Sequence, residues 1–190
     1  MKALAVSERE HLTRYSLLQA HYSLVARELE HELVPVCLDQ GLGILVWSPI
    51  AGGLLSGKYR RGVEAPAGSR HLTEWSEPPV YYEDKLYDTI EELVAIGDDH
   101  GVSAAQVALA YTIGKPAVTS VIVGARTEEQ LADNLASAEL TLAADEVERL
   151  DKVSAQPLPV TRFLQARYAV ETSILITRKS MTAKIGRLSS

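Results

Sequence analysis

Short apolar runs alternate along the chain with segments in which apolar residues recur every three or four positions. The run Gly43–Trp47 is continuous, which predicts a strand buried on both faces. Residues 118–123 form a second such run, and residues 16–19 form a shorter one that ends in polar positions. These three segments are the predicted strands.

The intervening segments carry helix signals. Ser103 and Thr127 each stand three residues before a glutamine, Gln106 and Gln130, a spacing that predicts a capped helix start at both places. The first of these helices is expected to stop at Gly114. Helical spacing or composition also predicts helices over Lys2–Arg9, over residues 26–40 with a stop at Gly41, over a stripe that begins near Leu86 and breaks near Gly101, over residues 127–138 and over residues 145–153.

The order of these segments is that of repeated β–α units, which predicts an α/β fold with a parallel sheet. Three parallel strands cannot close a barrel, and they leave two edges open. We therefore expect either a partner that completes the sheet or, preferably, a piece of a larger fold. Residues 51–79 are rich in Gly, Pro and Ser and predict one long loop, and loops of this length are usually either functional or disordered.

Composition narrows the function classes. The 190 residues carry a net charge of −6, which argues against a nucleic-acid partner because phosphate neutralisation needs clustered Lys and Arg. No apolar stretch is long enough for a membrane span. A single cysteine, Cys37, excludes a disulfide framework and fits a core position in a cytoplasmic protein. The five histidines lack metal-ligand spacing, so no metal site is expected.

Two predicted loops contain residues typical of phosphate-binding sites. Gly52 to Lys58 satisfies part of the P-loop pattern, but Tyr59 stands where a magnesium-binding Ser or Thr is required, which disfavours an NTPase. Arg126 precedes the helix that Thr127 opens, and a guanidinium beside a helix N-terminus suits a phosphate dianion. A capped helix with a solvated arginine explains the same residues, and both interpretations stay open.

Three motifs, in this order and spacing, resemble the aldo/keto reductase superfamily, and most closely its bacterial branch related to potassium-channel β-subunits. They are Trp47-Ser-Pro-Ile-Ala-Gly-Gly-Leu-Leu-Ser-Gly-Lys-Tyr59, Gly68-Ser-Arg70 and Val121-Ile-Val-Gly-Ala-Arg-Thr-Glu-Glu-Gln-Leu-Ala-Asp-Asn134. Gln19-Ala-His-Tyr22 is similar to the family's sixth barrel strand. The resemblance implies a partial (β/α)8 TIM barrel, about strands 6 to 8 with their helices, over residues 1–158, followed by a divergent tail over 159–190.

The resemblance also implies an NADP(H) site. Gln19 would bind the nicotinamide carboxamide, and Trp47 would stack on the nicotinamide ring. The pyrophosphate would be lined by Ser48, Pro49, Ile50, Ala51 and Gly52 and covered by Lys58, Ser69 and Arg70. The 2′-phosphate and adenine would be held by Gly124, Arg126, Gln130, Asp133 and Asn134. Arg126 at a helix N-terminus favours NADP(H) over NAD(H).

The family's catalytic Asp, Tyr, Lys and His lie on the first four strands, and the resemblance places no residue of this chain there. The expected function is therefore NADPH-dependent reduction of small aldehydes or ketones, with the acid–base half of the barrel absent from these residues. A complementing half or an oligomer would then complete the sheet. The alternatives are a non-catalytic NADP(H)-binding or regulatory protein, an inactive gene fragment, or a start site placed too far downstream.

Overall fold

A computed structural model describes residues 2–69 and 83–156, and all elements discussed below lie in the unit Met1–Ala155. The elements, in chain order, are α1 (Lys2–Arg9), β1 (Leu17–His21), a 3₁₀ segment (Glu28–His31), α2 (Leu33–Gln40), β2 (Gly43–Trp47), a second 3₁₀ segment (Ala51–Ser56), α3 (Glu83–His100), α4 (Ala104–Ile113), β3 (Val118–Ile122), α5 (Glu128–Ala136) and α6 (Ala144–Val153). No helix within these ranges has both the length and the apolar character needed to cross a bilayer.

The three strands form one parallel sheet in the order β1-β2-β3. His21 of β1 lies beside Trp47 of β2, which in turn lies beside Ile122 of β3. The prediction of an α/β fold with a parallel sheet is thus confirmed. Because parallel strands bring their carboxyl ends to one edge, the loops that follow all three strands leave the sheet on the same side.

The two faces of the sheet differ in their surroundings. Ile44 and Val46 of β2 are fully buried in a cluster that includes Cys37 of α2. Side chains alternate along a strand, so the intervening residues point to the opposite face. There Leu17 is 49% exposed and Trp47 is 42% exposed. The prediction that β2 is buried on both faces is therefore wrong for one face, which is open within the described residues.

One irregularity separates β2 from β3. The register shifts between Ile44 and Leu45, so that Ile44 lies opposite Val118 and Leu45 lies opposite Ser120. Thr119 is the extra residue of this bulge. A Cβ on Gly43 would stand 2.2 Å from the Thr119 Oγ1, a separation that real Cβ atoms do not tolerate. Gly43 therefore provides the space for the bulge.

A second apolar cluster forms between the helices. The predicted apolar stripe of α3 is confirmed, and it packs on α4, on Leu150 of α6 and on the second 3₁₀ segment. Its fully buried members include Leu55, Ile90, Leu93, Ile96, Val107, Ala108 and Leu150. This cluster fixes the loop after β2, because Leu54 and Leu55 of the second 3₁₀ segment are both part of it.

Helix ends follow the local signals. Ser103 accepts a hydrogen bond from the backbone N–H of Gln106 at 3.1 Å, and Thr127 accepts one from Gln130 at 3.3 Å. Both predicted helix starts are thereby confirmed. Gly41 ends α2 at a φ of 60°, which glycine adopts without the steric cost of a Cβ.

Two predicted boundaries need correction, and a third lies outside the described residues. The single helix expected over 26–40 is instead a 3₁₀ segment followed by α2, because the ring of Pro35 excludes a helical carbonyl four residues earlier. The loop expected over 51–79 contains the second 3₁₀ segment, and its residues 70–79 lie outside the described part. The predicted tail over 159–190 also lies outside it.

Arg27 joins three parts of the chain at the helical side of the sheet. Its guanidinium donates to both carboxylate oxygens of Glu30 at 2.7 and 2.9 Å, and it pairs with Asp151 of α6 at 2.8 Å. A further bond reaches the Ser154 hydroxyl at 2.8 Å. The side chain of Arg27 is only 13% exposed, so these contacts stand in for the water it has lost.

Two tyrosines and a lysine bind the same two carboxylates, and these residues together with Arg27, Glu30 and Asp151 are called the Arg27 cluster below. Tyr22 donates to Glu30 at 2.7 Å, Tyr111 donates to Asp151, and Lys115 pairs with Asp151 at 3.0 Å. These partners, together with Arg27, hold the pKa values of Glu30 and Asp151 below their usual range despite the burial that opposes this. Both carboxylates are therefore charged at neutral pH and need their cations.

Replacing the central cation tests this cluster. We expect Arg27→Met to lower the free energy of unfolding at neutral pH by about 2 kcal/mol, because Glu30 and Asp151 remain as partly buried charges. Urea denaturation followed by circular dichroism measures the change. Arg9→Met is the matched control, since the pair of Arg9 with Glu10 is exposed, and we expect it to cost less than about 0.5 kcal/mol. Equal effects of the two substitutions would contradict this role of Arg27.

Candidate cofactor site

The site residues on the strands lie on the open face of the sheet near its carboxyl edge. Gln19 faces the same side as His21 and Trp47, because its register partner is Leu45, two residues before Trp47. The side chain of Gln19 is exposed. The Gln19 amide can both donate and accept hydrogen bonds. It lies on the neighbouring strand, diagonally opposite the partly exposed indole of Trp47.

The indole of Trp47 is held by a ring stack. The imidazole of His21 lies with its centroid 4.5 Å from that of Trp47, and the two planes are 21° apart. The Nε2 atom of His21 is buried and has no hydrogen-bond partner among the described residues. Burial lowers the pKa of His21, and the Coulomb effect of Glu28 raises it by less. The ring is therefore held mainly in its neutral form against the indole.

A tight loop follows Trp47. The backbone N–H of Ala51 donates to the Ser48 carbonyl at 2.9 Å, and the N–H of Gly52 donates to the Ser48 hydroxyl at 3.0 Å. Ser48 and Ala51 adopt φ values of 55° and 51°, a left-handed conformation that costs a non-glycine residue about 1 kcal/mol or more. Pro49 is buried and Ile50 half-buried. Strained backbone of this kind persists where the surroundings over-determine it, commonly at binding sites.

Lys58 stands over this loop. Its Nζ atom is 5.0 Å from the centroid of the Tyr59 ring and 3.8 Å from the point where a Cβ on Gly53 would lie. Within the described residues Lys58 pairs with no carboxylate. Ser69, a predicted site residue on the following loop, is buried, and its N–H donates to Pro66. Arg70, the other predicted residue of that loop, lies outside the described residues.

The two arginines after Tyr59 serve a different purpose. Arg60 pairs with Glu91, and Arg61 pairs with Asp84 at 2.6 Å and Asp88 at 3.0 Å, all three carboxylates belonging to α3. These pairs attach the end of the loop to the helix. Lys58 is therefore the cation of this group that stands free to meet an anion.

The loop after β3 presents a second cation. Arg126 is exposed, and its guanidinium makes no ion pair with any residue in the described part of the chain. Its backbone N–H donates to the side-chain oxygen of Gln130 at 3.0 Å. Gln130 thus fixes the backbone of Arg126 just before α5 begins. Gly124, two residues earlier, is exposed as well, which leaves the segment accessible to a ligand.

Two more predicted residues of α5 have partners within the fold. Asp133 accepts a hydrogen bond from the Ser103 hydroxyl at 2.7 Å, and this bond ties α5 to the start of α4. Asn134 is buried, and its amide donates to the carbonyl of Gly124 at 3.5 Å. Both contacts position the loop that carries Arg126. The predicted adenine contacts of Asp133 and Asn134 stay predictions beside these structural roles.

Sequence reasoning missed His21. The signal was present in the alternation of residues 17–21, which places His21 on the same face as Gln19. This signal was missed because a single histidine without metal-ligand spacing matches no known site motif. The described residues also bring together no group of three or more His, Cys, Asp or Glu side chains that could hold a metal ion.

Tyr22 is the tyrosine next to the strand ends in the described part of the chain. Tyr22 directly follows β1, but burial and its hydrogen bond to Glu30 raise its pKa. A tyrosine that serves as a general acid near neutral pH needs the opposite shift. Tyr22 is therefore a structural residue of the Arg27 cluster.

The three-stranded parallel sheet and its helices are consistent with a fragment of an α/β barrel. The model of the aldo/keto reductase family matches residues 1–155, and the chain belongs to that family.

Relatives support the same placement. The uncharacterized oxidoreductase YrpG of Bacillus subtilis is 34% identical over 159 residues, which cover 83% of this chain and 46% of the relative. A probable voltage-gated potassium channel subunit beta of rice is 35% identical, over 81% of this chain and 47% of the relative. Versiconal hemiacetal acetate reductase of Aspergillus parasiticus is 30% identical, over 73% of this chain and 40% of the relative. The chain spans less than half the length of these relatives.

The loop after Trp47 allows a direct test of its geometry. Ser48→Ala keeps the left-handed backbone and removes the bond to Gly52, whereas Ser48→Gly removes the same bond and relieves the strain. We therefore expect the glycine variant to be the more stable of the two by about 1 kcal/mol in urea denaturation. A glycine variant less stable than the alanine variant would show that residue 48 does not adopt a left-handed conformation.

Proposed function

We propose that residues 1–158 form strands 6 to 8, with their helices, of an aldo/keto reductase barrel, and that they hold NADP(H) for the reduction of small aldehydes or ketones. The observation that carries the proposal is the shared carboxyl edge. Gln19 and Trp47 lie on its open face, and the loops after β2 and β3 leave from the same edge. A dinucleotide that runs along this edge meets all of these groups.

The chemistry of the groups fits the cofactor from end to end. An exposed amide at Gln19 suits the nicotinamide carboxamide, and an indole 42% exposed at Trp47 suits its ring. The loop from Ser48 to Gly52, under Lys58, suits the pyrophosphate. When bound, NADPH supplies the hydride for carbonyl reduction.

The adenosine end depends on Arg126. A 2′-phosphate is a dianion, and the Arg126 guanidinium, which makes no ion pair within the described residues, offers it charge-assisted hydrogen bonds. The N-terminus of α5 adds its partial positive charge. Thr127 and Gln130 keep this helix start in place. This is the basis for favouring NADP(H) over NAD(H).

The cofactor preference can be measured by removing the guanidinium. Arg126→Ala should weaken NADPH binding by roughly one to two decades, because a hydrogen bond to a charged group is worth about 1.5–3 kcal/mol, and it should leave NADH binding nearly unchanged. Fluorescence titration with both dinucleotides measures the two affinities. Arg9→Ala, at an exposed position of α1, is the matched control and should change neither affinity. Equal losses for NADPH and NADH would place the 2′-phosphate elsewhere.

The acid–base residues belong, in this proposal, to the part of the barrel that these 190 residues do not contain. The open face of the sheet and the free edges of β1 and β3 would then be covered by that part, by a complementing half or in an oligomer. The two halves together would place the substrate carbonyl above the nicotinamide.

The 190-residue chain alone should therefore reduce no aldehyde above background. General acid catalysis contributes about 10²- to 10⁴-fold, and the loss of the substrate pocket removes positioning as well. NADPH oxidation with an aromatic aldehyde, followed at the nicotinamide absorbance, tests this expectation. Robust NADPH oxidation by the purified chain would show that the chain does contain a proton donor for the reaction.

A second candidate is a non-catalytic NADP(H)-binding or regulatory protein. The similarity to the rice channel β-subunit favours it, because that relative is named for a channel rather than for a reaction. The two candidates share the cofactor site and differ in the missing residues. An in-frame upstream segment with the catalytic Asp, Tyr and Lys at family spacing would decide for the enzyme, whereas a stop codon directly before Met1 would favour the second candidate.

A further inference from the structure

The contact between His21 and Trp47 is not explained by the cofactor contacts proposed above. Within residues 2–69 and 83–156 the Nε2 atom of His21 makes no hydrogen bond, and its ring centroid lies 4.5 Å from that of the indole that the proposed function assigns to the nicotinamide. A buried, unpaired ring nitrogen carries a desolvation cost. The stack on Trp47 is the ring contact that the structure shows for this imidazole.

We propose that His21 is a positioning residue that supports the Trp47 indole and, when protonated, weakens binding of the oxidised cofactor relative to the reduced one. This inference rests on the proposed function, in which the nicotinamide stacks on the indole. His21 covers part of the indole, and the side chain remains 42% exposed for a second ring. The three rings would then lie in series, with Trp47 in the middle.

The charge of the nicotinamide makes this arrangement selective. The ring of NADP⁺ carries a positive charge, whereas the dihydronicotinamide of NADPH is neutral. An imidazolium on the far side of the indole would stand roughly 8 Å from the nicotinamide, and the repulsion at that distance in a partly buried site corresponds to roughly a tenfold loss of affinity. The indole also stabilises a cation on its face, and two cations compete for it.

The surroundings of His21 set the pH at which this happens. Glu28, on the 3₁₀ segment after β1, is the charged group whose field acts on the ring and favours the proton. Burial opposes it more strongly, and the neighbours on β1 and β2, Gln19 and Trp47, carry no charge. Protonation therefore falls below the ordinary histidine range, and by linkage NADP⁺ should lower the pKa of His21 further.

The test compares the two cofactors at two pH values in the full chain. Trp75→Phe leaves Trp47 as the single tryptophan, so that fluorescence reports on the site. We expect the ratio of the NADP⁺ and NADPH dissociation constants to rise as the pH falls from about 8 to about 5.5, by less than the tenfold limit because His21 takes up its proton below the ordinary histidine range. The 2′-phosphate also titrates near pH 6, but it is common to both cofactors and cancels in the ratio.

Three variants separate the effect of the charge on His21 from the effect of its packing against Trp47. His21→Phe keeps a ring against Trp47 but no titrating group, so we expect affinity for NADPH to persist and the ratio to become independent of pH. His21→Ala removes the support, and we expect it to weaken both cofactors alike. His31→Phe, on the 3₁₀ segment, is the matched control and should retain the pH dependence of the wild type.

Each outcome decides a different point. A ratio independent of pH in the wild type, or an equal pH dependence in His21→Phe, overturns this inference and leaves the proposed function intact. Failure to bind either cofactor at both pH values overturns the proposed function and this inference with it. The contact itself has a readout without cofactor, because a protonated imidazole quenches indole fluorescence. Acid quenching in the wild type that is lost in His21→Phe supports the stack, and its absence in the wild type overturns it.

Discussion

The alternation of side chains along β2 imposes the constraint on which the site depends. Ile44 and Val46 must be buried against the helices, and this requirement leaves Trp47 no choice but the opposite face. A shift of one residue would bury the indole among aliphatic side chains and expose Val46. The apolar core therefore places the aromatic ring, and the parallel register then places His21 beside it.

The helical side reinforces this placement from behind the sheet. The Arg27 cluster ties the segment after β1 to α4 and α6 through Glu30, Tyr111 and Asp151. Because Tyr22 also belongs to this cluster, the end of β1 is held from the face opposite to His21. Stability and site geometry thus depend on two consecutive residues, His21 at the end of β1 and Tyr22 directly after it.

The sequence predicted those features that depend on local chemistry. The caps at Ser103 and Thr127 and the glycine stop at Gly41 involve residues within one turn, and all three are where they were expected. Features that depend on distant groups were missed. Whether β2 has one or two covered faces depends on what packs against it, and the stack of His21 on Trp47 depends on a register that no single segment encodes. The break of the predicted helix near Pro35 was an intermediate case, since its cause is local but competed with a strong apolar period.

The bulge at Thr119 has a consequence for how this segment can change length during evolution. The extra residue is taken up between Val118 and Ser120, where Gly43 leaves room for it. Loss of a residue before the bulge can be absorbed there by restoring regular pairing. Loss of a residue after it would exchange the facing of Ile122 and draw Arg126 back along the chain. The tolerance of β3 to insertions and deletions is therefore unequal along its length, and the carboxyl end, which leads to Arg126, is the part whose spacing is fixed.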